Sequence, residues 1–587
     1  MLPVLGLLRG APAVLLVGLG VIMALPDLAA SFRVPRSPPA WSLALIAVVL
    51  YGGIGSFYVQ RLQASGDEPH YLLMAQSLWE QGDLDLRDNY ERQDFLEYTP
   101  GPVRPHYGAP RADGRPYPAH SPGLPFLLAP IYAFGGRTAS VLLLALLAGL
   151  LTGETYRLAR EFCPNRDAPL VGWAAALGAP VLFYAFHVYS EVPSALAIVS
   201  CLRILTARRP SWQAALLAAL CASWLPWLHA KNIAVAAALG IIAAVRLGKR
   251  PRLVFLAVAA AACLGYVGYY QAIFGQPTPL AIYGGLPRQA NGVWWRASLG
   301  LLLDRSFGLL PHAPLFLLGV AGLAGWARRA ERAAWPLALT LIAVVAPILV
   351  WRMWWGGYCP PSRFLVPAVP ILAVAVAARV SSSPRGLAHW RWVLAALGLI
   401  LALYMVHRPV DRLLLDRRAQ PTRTWIWLSD FEEPSLNHYL PSLISKEPAE
   451  LRVVIIWCAG LLVLLGLDAL ACRRRDVDRL FRGLELPIVL LLLGGSLVDV
   501  WARAPAANAV QRTDAGERPV VRRGTSLRVV AGRSLRPGAN LRPALSDGAN
   551  PGRPQRPEPQ QCLVGEGKLP AAARIVQVTD RLPGGQG

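Results

Sequence analysis

Apolar stretches about 20 residues long recur along most of the chain and alternate with shorter polar segments. A helix of that length crosses a hydrocarbon core about 30 Å thick, and a helix satisfies its own backbone hydrogen bonds in lipid. The pattern therefore predicts an all-α polytopic membrane protein, a bundle of about 13 transmembrane helices. The predicted spans are 41–60, 138–157, 170–187, 191–207, 212–228, 232–246, 252–272, 309–326, 334–353, 364–380, 391–407, 450–472 and 485–502.

Two further apolar stretches do not fit a simple series of crossings. Residues 2–25 form either an extra span or, if the start is misassigned and Met23 is the true initiator, a stretch that mostly precedes the protein. Residues 121–134 are short and rich in proline, which favours an interfacial or re-entrant helix over a crossing.

The polar segments divide the chain into regions. The main transmembrane region is predicted at 41–410 and contains a large first loop, 61–137, that bears interfacial helices. A second loop at 411–449 precedes two C-terminal spans within 450–505. The tail is rich in proline, glycine and arginine and poor in apolar residues, so we expect disorder or a few short strands there. The remaining regions are the N-terminal segment 1–40 and this tail, 506–587.

The cations indicate an orientation. Arginines concentrate in alternate short loops, for example at Arg157, Arg208, Arg328 and the run beginning at Arg473. Because cytoplasmic loops carry the excess of lysine and arginine, the first loop and the tail are predicted to lie outside.

Composition narrows the class of protein further. Of 587 residues, 54% are hydrophobic and only 16% are charged, which excludes a soluble domain of this size. The net charge of +23 lies mostly in short loops and in the tail, so topology explains it and no nucleic-acid partner is predicted. The eight cysteines include no CxxC pair, and those within spans are expected to be small buried hydrophobes.

Two adjacent carboxylates open the first loop directly after the first span. Asp67 and Glu68 precede Pro69, a residue suited to a first helical turn, so either one could simply cap the helix predicted at 70–82. Adjacent residues do not share a helix face. If the pair is functional, the two carboxylates are therefore expected to have separate roles.

This Asp-Glu pair, followed by a helix and then Gly82 and Asp83, resembles the GT-C glycosyltransferases. Three later segments resemble motifs of the bacterial relatives of protein O-mannosyltransferases and aminoarabinose transferases, a family 39-like group: HSPGLP at 120–125, FGLLPHAP at 307–314 and WWGGYCPPSRFLVP at 354–367. Cys359 and Pro360 depart from the Trp-Gly pattern of that group. The resemblance covers roughly residues 41–410.

The resemblance implies a function. It implies an integral membrane glycosyltransferase that moves a hexose or pentose from a polyprenyl-phosphate donor to a glycan, lipid or protein acceptor. The reaction would take place among membrane lipids on the extracytoplasmic face of a bacterial inner membrane, most simply by one displacement with inversion.

The resemblance also implies roles for the two carboxylates. Asp67 would be the catalytic base or a metal ligand, and Glu68 would orient it or bind the same divalent metal, Mg²⁺ or Mn²⁺. Arg363 and Lys231 lie at outside ends of spans, where they would bind phosphate or, alternatively, anchor the helices at lipid headgroups.

Five further residues are candidates for binding substrate. Glu191 matches a second acidic position of the family, or else caps the helix that contains Pro193. Each of the others has a structural alternative, a turn or packing role for a histidine and the aromatic belt for a tryptophan. These are His120, His312, Trp354 and Trp355.

Two functions of other classes stay open at this point. A transporter or flippase of lipid-linked saccharides would show internal repeats and ionisable residues at mid-bilayer. The sequence shows no repeat, and most ionisable residues lie near span ends. A non-catalytic membrane scaffold is the other alternative, and substitution of Asp67 discriminates it.

Overall fold

The computed structural model describes residues 38–163, 168–283, 294–329, 334–351, 353–382, 390–407, 413, 422–429, 435–444 and 448–471. The predicted span at 485–502, the tail and the stretch at 2–25 lie outside the described residues.

The described residues form α-helices joined by turns and short 3-10 segments, with no strand among them. The all-α prediction is thus confirmed for this part of the chain, whereas the number of 13 crossings stays a prediction. The helices are α1 (Ala40–Arg61), α2 (Glu68–Glu80), α3 (Arg87–Glu91), α4 (Gly123–Phe162), α5 (Ala168–Leu177), α6 (Val181–Tyr184), α7 (Glu191–Thr206), α8 (Trp212–Leu228), α9 (Ile233–Arg246), α10 (Lys249–Phe274), α11 (Trp294–Leu303), α12 (Leu309–His312), α13 (Phe316–Arg329), α14 (Trp335–Leu349), α15 (Val369–Ser381), α16 (Trp390–His407), α17 (Arg423–Leu428) and α18 (Pro448–Ala471).

Within the described residues, four helical segments are long and apolar enough to cross a membrane: Ala40–Arg61, Gly123–Phe162, Lys249–Tyr283 and Arg363–Ser381. Five shorter apolar helices accompany them. The chain is therefore an integral membrane protein.

Small residues bring the central helices into close contact. A side chain at Gly149 of α4 would collide with Val48 of α1, and one at Gly322 of α13 would collide with the backbone of Ala375 in α15. Close approach of this kind is typical of membrane helix interfaces, where packing rather than water expulsion drives association.

Helix α4 contains a kink at Gly135 and Gly136. Gly136 has φ +55°, in the left-handed region that favours glycine, and the chain changes direction there. The predicted interfacial segment 121–134 and the predicted span 138–157 are thus two arms of one bent helix. The kink places Arg137 at the start of the second arm, where its Nη1 donates a hydrogen bond to the Leu62 carbonyl at 2.6 Å.

A cluster of buried polar contacts connects the end of α11 to the described parts of 422–444. The Asp304 carboxylate accepts hydrogen bonds from the backbone amides of Ser306, Phe307 and Leu443 at 2.8–3.0 Å. Arg305 donates to the Asn437 carbonyl at 2.7 Å. The segment at 307–314 is therefore held in place by structural contacts.

Candidate active site

The turn between α1 and α2 presents Asp67. Gly66 in this turn has φ +62°, and a Cβ there would collide with the Tyr189 hydroxyl and lie 2.8 Å from the Tyr358 carbonyl oxygen. The backbone amide of Asp67 donates a hydrogen bond to the same Tyr189 hydroxyl at 3.2 Å. Only glycine fits this turn without displacing Tyr189, a residue that the sequence analysis did not single out.

Asp67 occupies the N-cap position of α2 but does not act as a cap. Its side chain makes no capping hydrogen bond. Instead its Oδ2 lies 2.6 Å from Nη2 of Arg363, and about a quarter of the side chain, 26%, stays exposed. The capping alternative therefore does not hold, and the carboxylate belongs to a long-range ion pair.

The Trp-Gly motif shapes the loop that delivers Arg363. Gly356 and Gly357 both have positive φ, +97° and +85°, and Arg363 Nη1 donates to the Gly356 carbonyl at 3.0 Å. A Cβ at Gly356 would lie only 3.0 Å from the Arg363 side chain. The guanidinium carbon lies 4.4 Å from the centroid of the Tyr189 ring. Arg363 is buried, so it is not an anchor that extends toward lipid headgroups.

Glu191 connects the two cations. Its Oε1 accepts from Arg363 Nε at 3.0 Å and from Lys231 Nζ at 2.8 Å. Glu191 is fully buried and is the first residue of α7, whose N-cap position belongs to Ser190, and its Oε2 has no hydrogen-bond partner among the described residues. Lys231 is mostly buried too, with its ammonium 4.1 Å from the centroid of the Phe364 ring. The cap and anchor alternatives for these two residues therefore fail as well.

We call Asp67, Arg363, Glu191 and Lys231 the ionic network. It balances two carboxylates against two cations, which is what a buried cluster of charges requires. Burial by itself would raise the pKa of the Asp67 carboxyl, but the Arg363 guanidinium outweighs burial and holds that pKa well below its usual range. Asp67 is thus ionised at neutral pH and, while paired with Arg363, a weak base.

Glu68 faces a different arginine. It is fully buried, and its Oε2 accepts from the Tyr58 hydroxyl at 2.8 Å, while its Oε1 lies 3.6 Å from Arg137 Nε. Burial raises the pKa of Glu68, and Arg137 opposes that change. The two adjacent carboxylates do not share a partner, so they are not arranged as a joint metal site.

Three histidines lie close together beside Asp67 in the first loop. His106 Nδ1 and His120 Nε2 are 3.1 Å apart, and the rings of His70 and His120 are stacked with their centroids 5.4 Å apart. Burial lowers the pKa of His120 to about 4 and that of His70 to about 3, and the Asp67 carboxylate opposes this shift in both. These two imidazoles are neutral at physiological pH. His120 was among the residues predicted to bind substrate, and no sequence spacing indicated the cluster.

The remaining predicted residues make other contacts. His312 Nδ1 donates a hydrogen bond to the Gly308 carbonyl at 2.8 Å, and the centroid of its ring lies 5.5 Å from that of the Trp425 ring. Trp354 is buried, and a Cβ at Gly300 would collide with its indole, while Trp355 stands perpendicular to it. The structure thus brings together Asp67, Glu191, Lys231 and Arg363 with His120 nearby. Glu68 instead contacts Tyr58 and Arg137. His312 and Trp354 pack against Trp425 and Trp355, respectively.

No family model matches the chain, and no curated protein matches it. Among solved structures, the chain is similar to ArnT from Cupriavidus metallidurans in the apo state, with 16% identity and a TM-score of 0.42 over 77% of this chain and 76% of that one. It is also similar to the same ArnT bound to undecaprenyl phosphate, with 16% identity and a TM-score of 0.41 over 80% of each chain. A third similar structure is the oligosaccharyltransferase AglB from Archaeoglobus fulgidus in complex with an inhibitory peptide and a dolichol-phosphate, with 13% identity and a TM-score of 0.42 over 70% of this chain and 60% of that one.

Proposed function

We propose that the chain is a GT-C type membrane glycosyltransferase that transfers a hexose or pentose from a polyprenyl-phosphate donor to a glycan, lipid or protein acceptor. The reaction takes place on the extracytoplasmic face of a bacterial inner membrane. The observation that carries the proposal is the ionic network, which assembles two cations and two carboxylates from four separate parts of the chain.

Sugar transfer from a lipid phosphate needs cations for the departing phosphate and a base for the acceptor hydroxyl. Arg363 and Lys231 supply the cations. They bind the same Glu191 oxygen, at 3.0 Å and 2.8 Å, so they are close neighbours that one phosphate group can contact together. The guanidinium also offers a planar fork that suits phosphate oxygens.

The two carboxylates of the network differ in access. Asp67 is 26% exposed, whereas Glu191 is fully buried. Only Asp67 can meet an acceptor without a rearrangement of the fold. We therefore assign Asp67 as the base and Glu191 as the residue that positions both cations.

The pairing of Asp67 with Arg363 suggests an order of events. Donor phosphate competes with Asp67 for the guanidinium, and loss of that partner returns the pKa of Asp67 toward its ordinary range. Asp67 then takes the proton from the acceptor hydroxyl as the hydroxyl oxygen bonds to the anomeric carbon. The bond from that carbon to the phosphate oxygen breaks, and polyprenyl phosphate leaves against Arg363 and Lys231, with inversion.

The resemblance allows a divalent metal at the first-loop carboxylates. The structure gives Asp67 and Glu68 separate arginine partners, so the two residues do not fit one ion together. No step of this mechanism depends on a metal.

The test uses the full chain in lipid nanodiscs and a panel of polyprenyl-phosphate hexoses and pentoses, with release of polyprenyl phosphate as the readout. The Asp67→Asn variant should lose turnover, while Asp113→Asn, the same change at an exposed position of the first loop, should keep it. Transbilayer movement of intact donor without consumption would instead establish a flippase and refute the proposal.

A further inference from the structure

The histidines of the first loop, His70, His106 and His120, form a compact set that we call the histidine triad. Each offers one ring nitrogen, and these three atoms all lie within 4.8 Å of one another. His120 is buried and the other two are partly buried. The mechanism above uses none of the three as a base or as a cation.

The backbone holds the triad in position. His106 and His120 stand at the two ends of a hairpin closed by hydrogen bonds from the Ala119 amide to the His106 carbonyl, at 3.0 Å, and from Gly108 to Tyr117, at 2.8 Å. His70 lies in the first turn of α2. The set is therefore organised by the fold and does not depend on flexible side chains meeting by chance.

The hydrogen bond of the His70 ring resembles those around metal-binding imidazoles. The Nδ1 atom of His70 lies 2.8 Å from the Tyr90 hydroxyl, which leaves Nε2 available to a ligand. In metal sites the second ring nitrogen commonly has such a partner, which fixes the tautomer and the orientation of the ring.

The spacing of the other two rings agrees with a shared ion. His106 Nδ1 and His120 Nε2 are 3.1 Å apart and share a hydrogen bond, which a bound ion would replace. Two imidazole nitrogens bound to one tetrahedral zinc ion at about 2.0–2.1 Å are separated by about 3.3 Å. A small rearrangement of His70 would complete a set of three ligands.

We propose that the histidine triad binds a first-row divalent cation, with Zn²⁺ as the preferred ion and a fourth coordination position left to water or another ligand. Imidazole ligands favour zinc, copper or nickel over Mg²⁺ and Mn²⁺, which prefer oxygen. The bound ion would connect the hairpin to the first turn of α2 and so fix the helix end at which Asp67 stands. The proposal is independent of the glycosyltransferase function.

The experiment measures binding of Zn²⁺ alone to the full chain, purified with an affinity tag that contains no histidine and stripped with a chelator. Competition with a chromophoric chelator should show one Zn²⁺ per chain. Each of His70→Gln, His106→Gln and His120→Gln should weaken binding at least about 100-fold, and Tyr90→Phe about tenfold, through loss of the bond to His70. His407→Gln changes an exposed histidine elsewhere and should leave the affinity unchanged.

Two further measurements separate loss of the site from loss of the fold. Thermal unfolding of each metal-free variant reports on folding, and Zn²⁺ should raise the melting temperature of the parent chain only. Co²⁺ should give the strong visible bands of tetrahedral coordination in the parent and not in the triad variants. Unchanged affinity in all three folded histidine variants, or no Zn²⁺ binding by the folded parent, would overturn the proposal. Since no donor is present, either result is independent of whether the chain transfers sugar.

Discussion

The substitution Asp67→Asn tests the ionic network most directly, because it removes one charge and almost no volume. Asp67 makes no capping bond, and the amide oxygen of asparagine can still accept from Arg363. Arg363 also keeps Glu191, the Gly356 carbonyl and the Tyr189 ring. We therefore expect a stability loss of only about 1–2 kcal/mol, since the ion pair with Arg363 becomes a hydrogen bond between the same cation and a neutral amide.

The effect of Asp67→Asn on catalysis should be larger than its effect on stability, and it should appear in kcat. Loss of a general base lowers turnover by about 10²-fold or more, which corresponds to about 2.7 kcal/mol of transition-state stabilisation. Donor KM should stay the same or fall, because the carboxylate that competes with phosphate for Arg363 has gone. A fall in kcat without a rise in KM is therefore the expected signature.

Glu191→Gln is the matched comparison within the same network. It weakens the partner of both Arg363 and Lys231 at a fully buried position. Breaking a buried pair costs about 3–5 kcal/mol. We expect a lower melting temperature and a higher donor KM, in contrast to Asp67→Asn.

The assay measures initial rates of polyprenyl phosphate release in nanodiscs over a range of donor concentrations, with melting temperatures determined in parallel. Near-normal kcat in folded Asp67→Asn would remove Asp67 from the chemistry. A rise in KM equal to that of Glu191→Gln would show that Asp67, too, only positions the cations, and the assignment of separate roles would be refuted.

Three further predictions concern Arg363, the turn at Gly66 and the C-terminal tail. Arg363→Lys keeps the charge but loses the three-nitrogen contact set, so donor KM should rise at least about tenfold in the same rate assay, and an unchanged KM would exclude a phosphate role. Gly66→Ala should destabilise the chain by about 1–3 kcal/mol in thermal unfolding and lower turnover, because φ is +62° and the new methyl group meets Tyr189. Gly82→Ala, at φ +77° with open space around it, should cost only the backbone strain and keep turnover. Truncation after about Arg503 should leave transfer largely intact, since the removed tail lies beyond the family resemblance and its composition predicts no apolar core; complete loss of activity in a stably inserted truncated chain would contradict this.

The sequence by itself determined the class of fold. In lipid, a chain must satisfy its own backbone hydrogen bonds, and few structures other than helices allow this. Composition and the length of the apolar stretches were therefore sufficient to predict an all-α membrane protein. The motif around Gly356 and Gly357 could also be recognised from sequence, although its purpose could not. Its positive φ angles orient the loop so that a glycine carbonyl accepts a hydrogen bond from Arg363.

Only the tertiary structure decided which charges meet. From the sequence, Asp67 could be either a helix cap or a functional carboxylate. The local pattern carries no information about a partner as distant as Arg363. Packing of the helices brings Nη2 of Arg363 to 2.6 Å from Oδ2 of Asp67. A separate feature, the kink at Gly136, brings Arg137 to Glu68. Coulomb energy depends on distance in space and on burial, and neither quantity is encoded in residue spacing across separate helices.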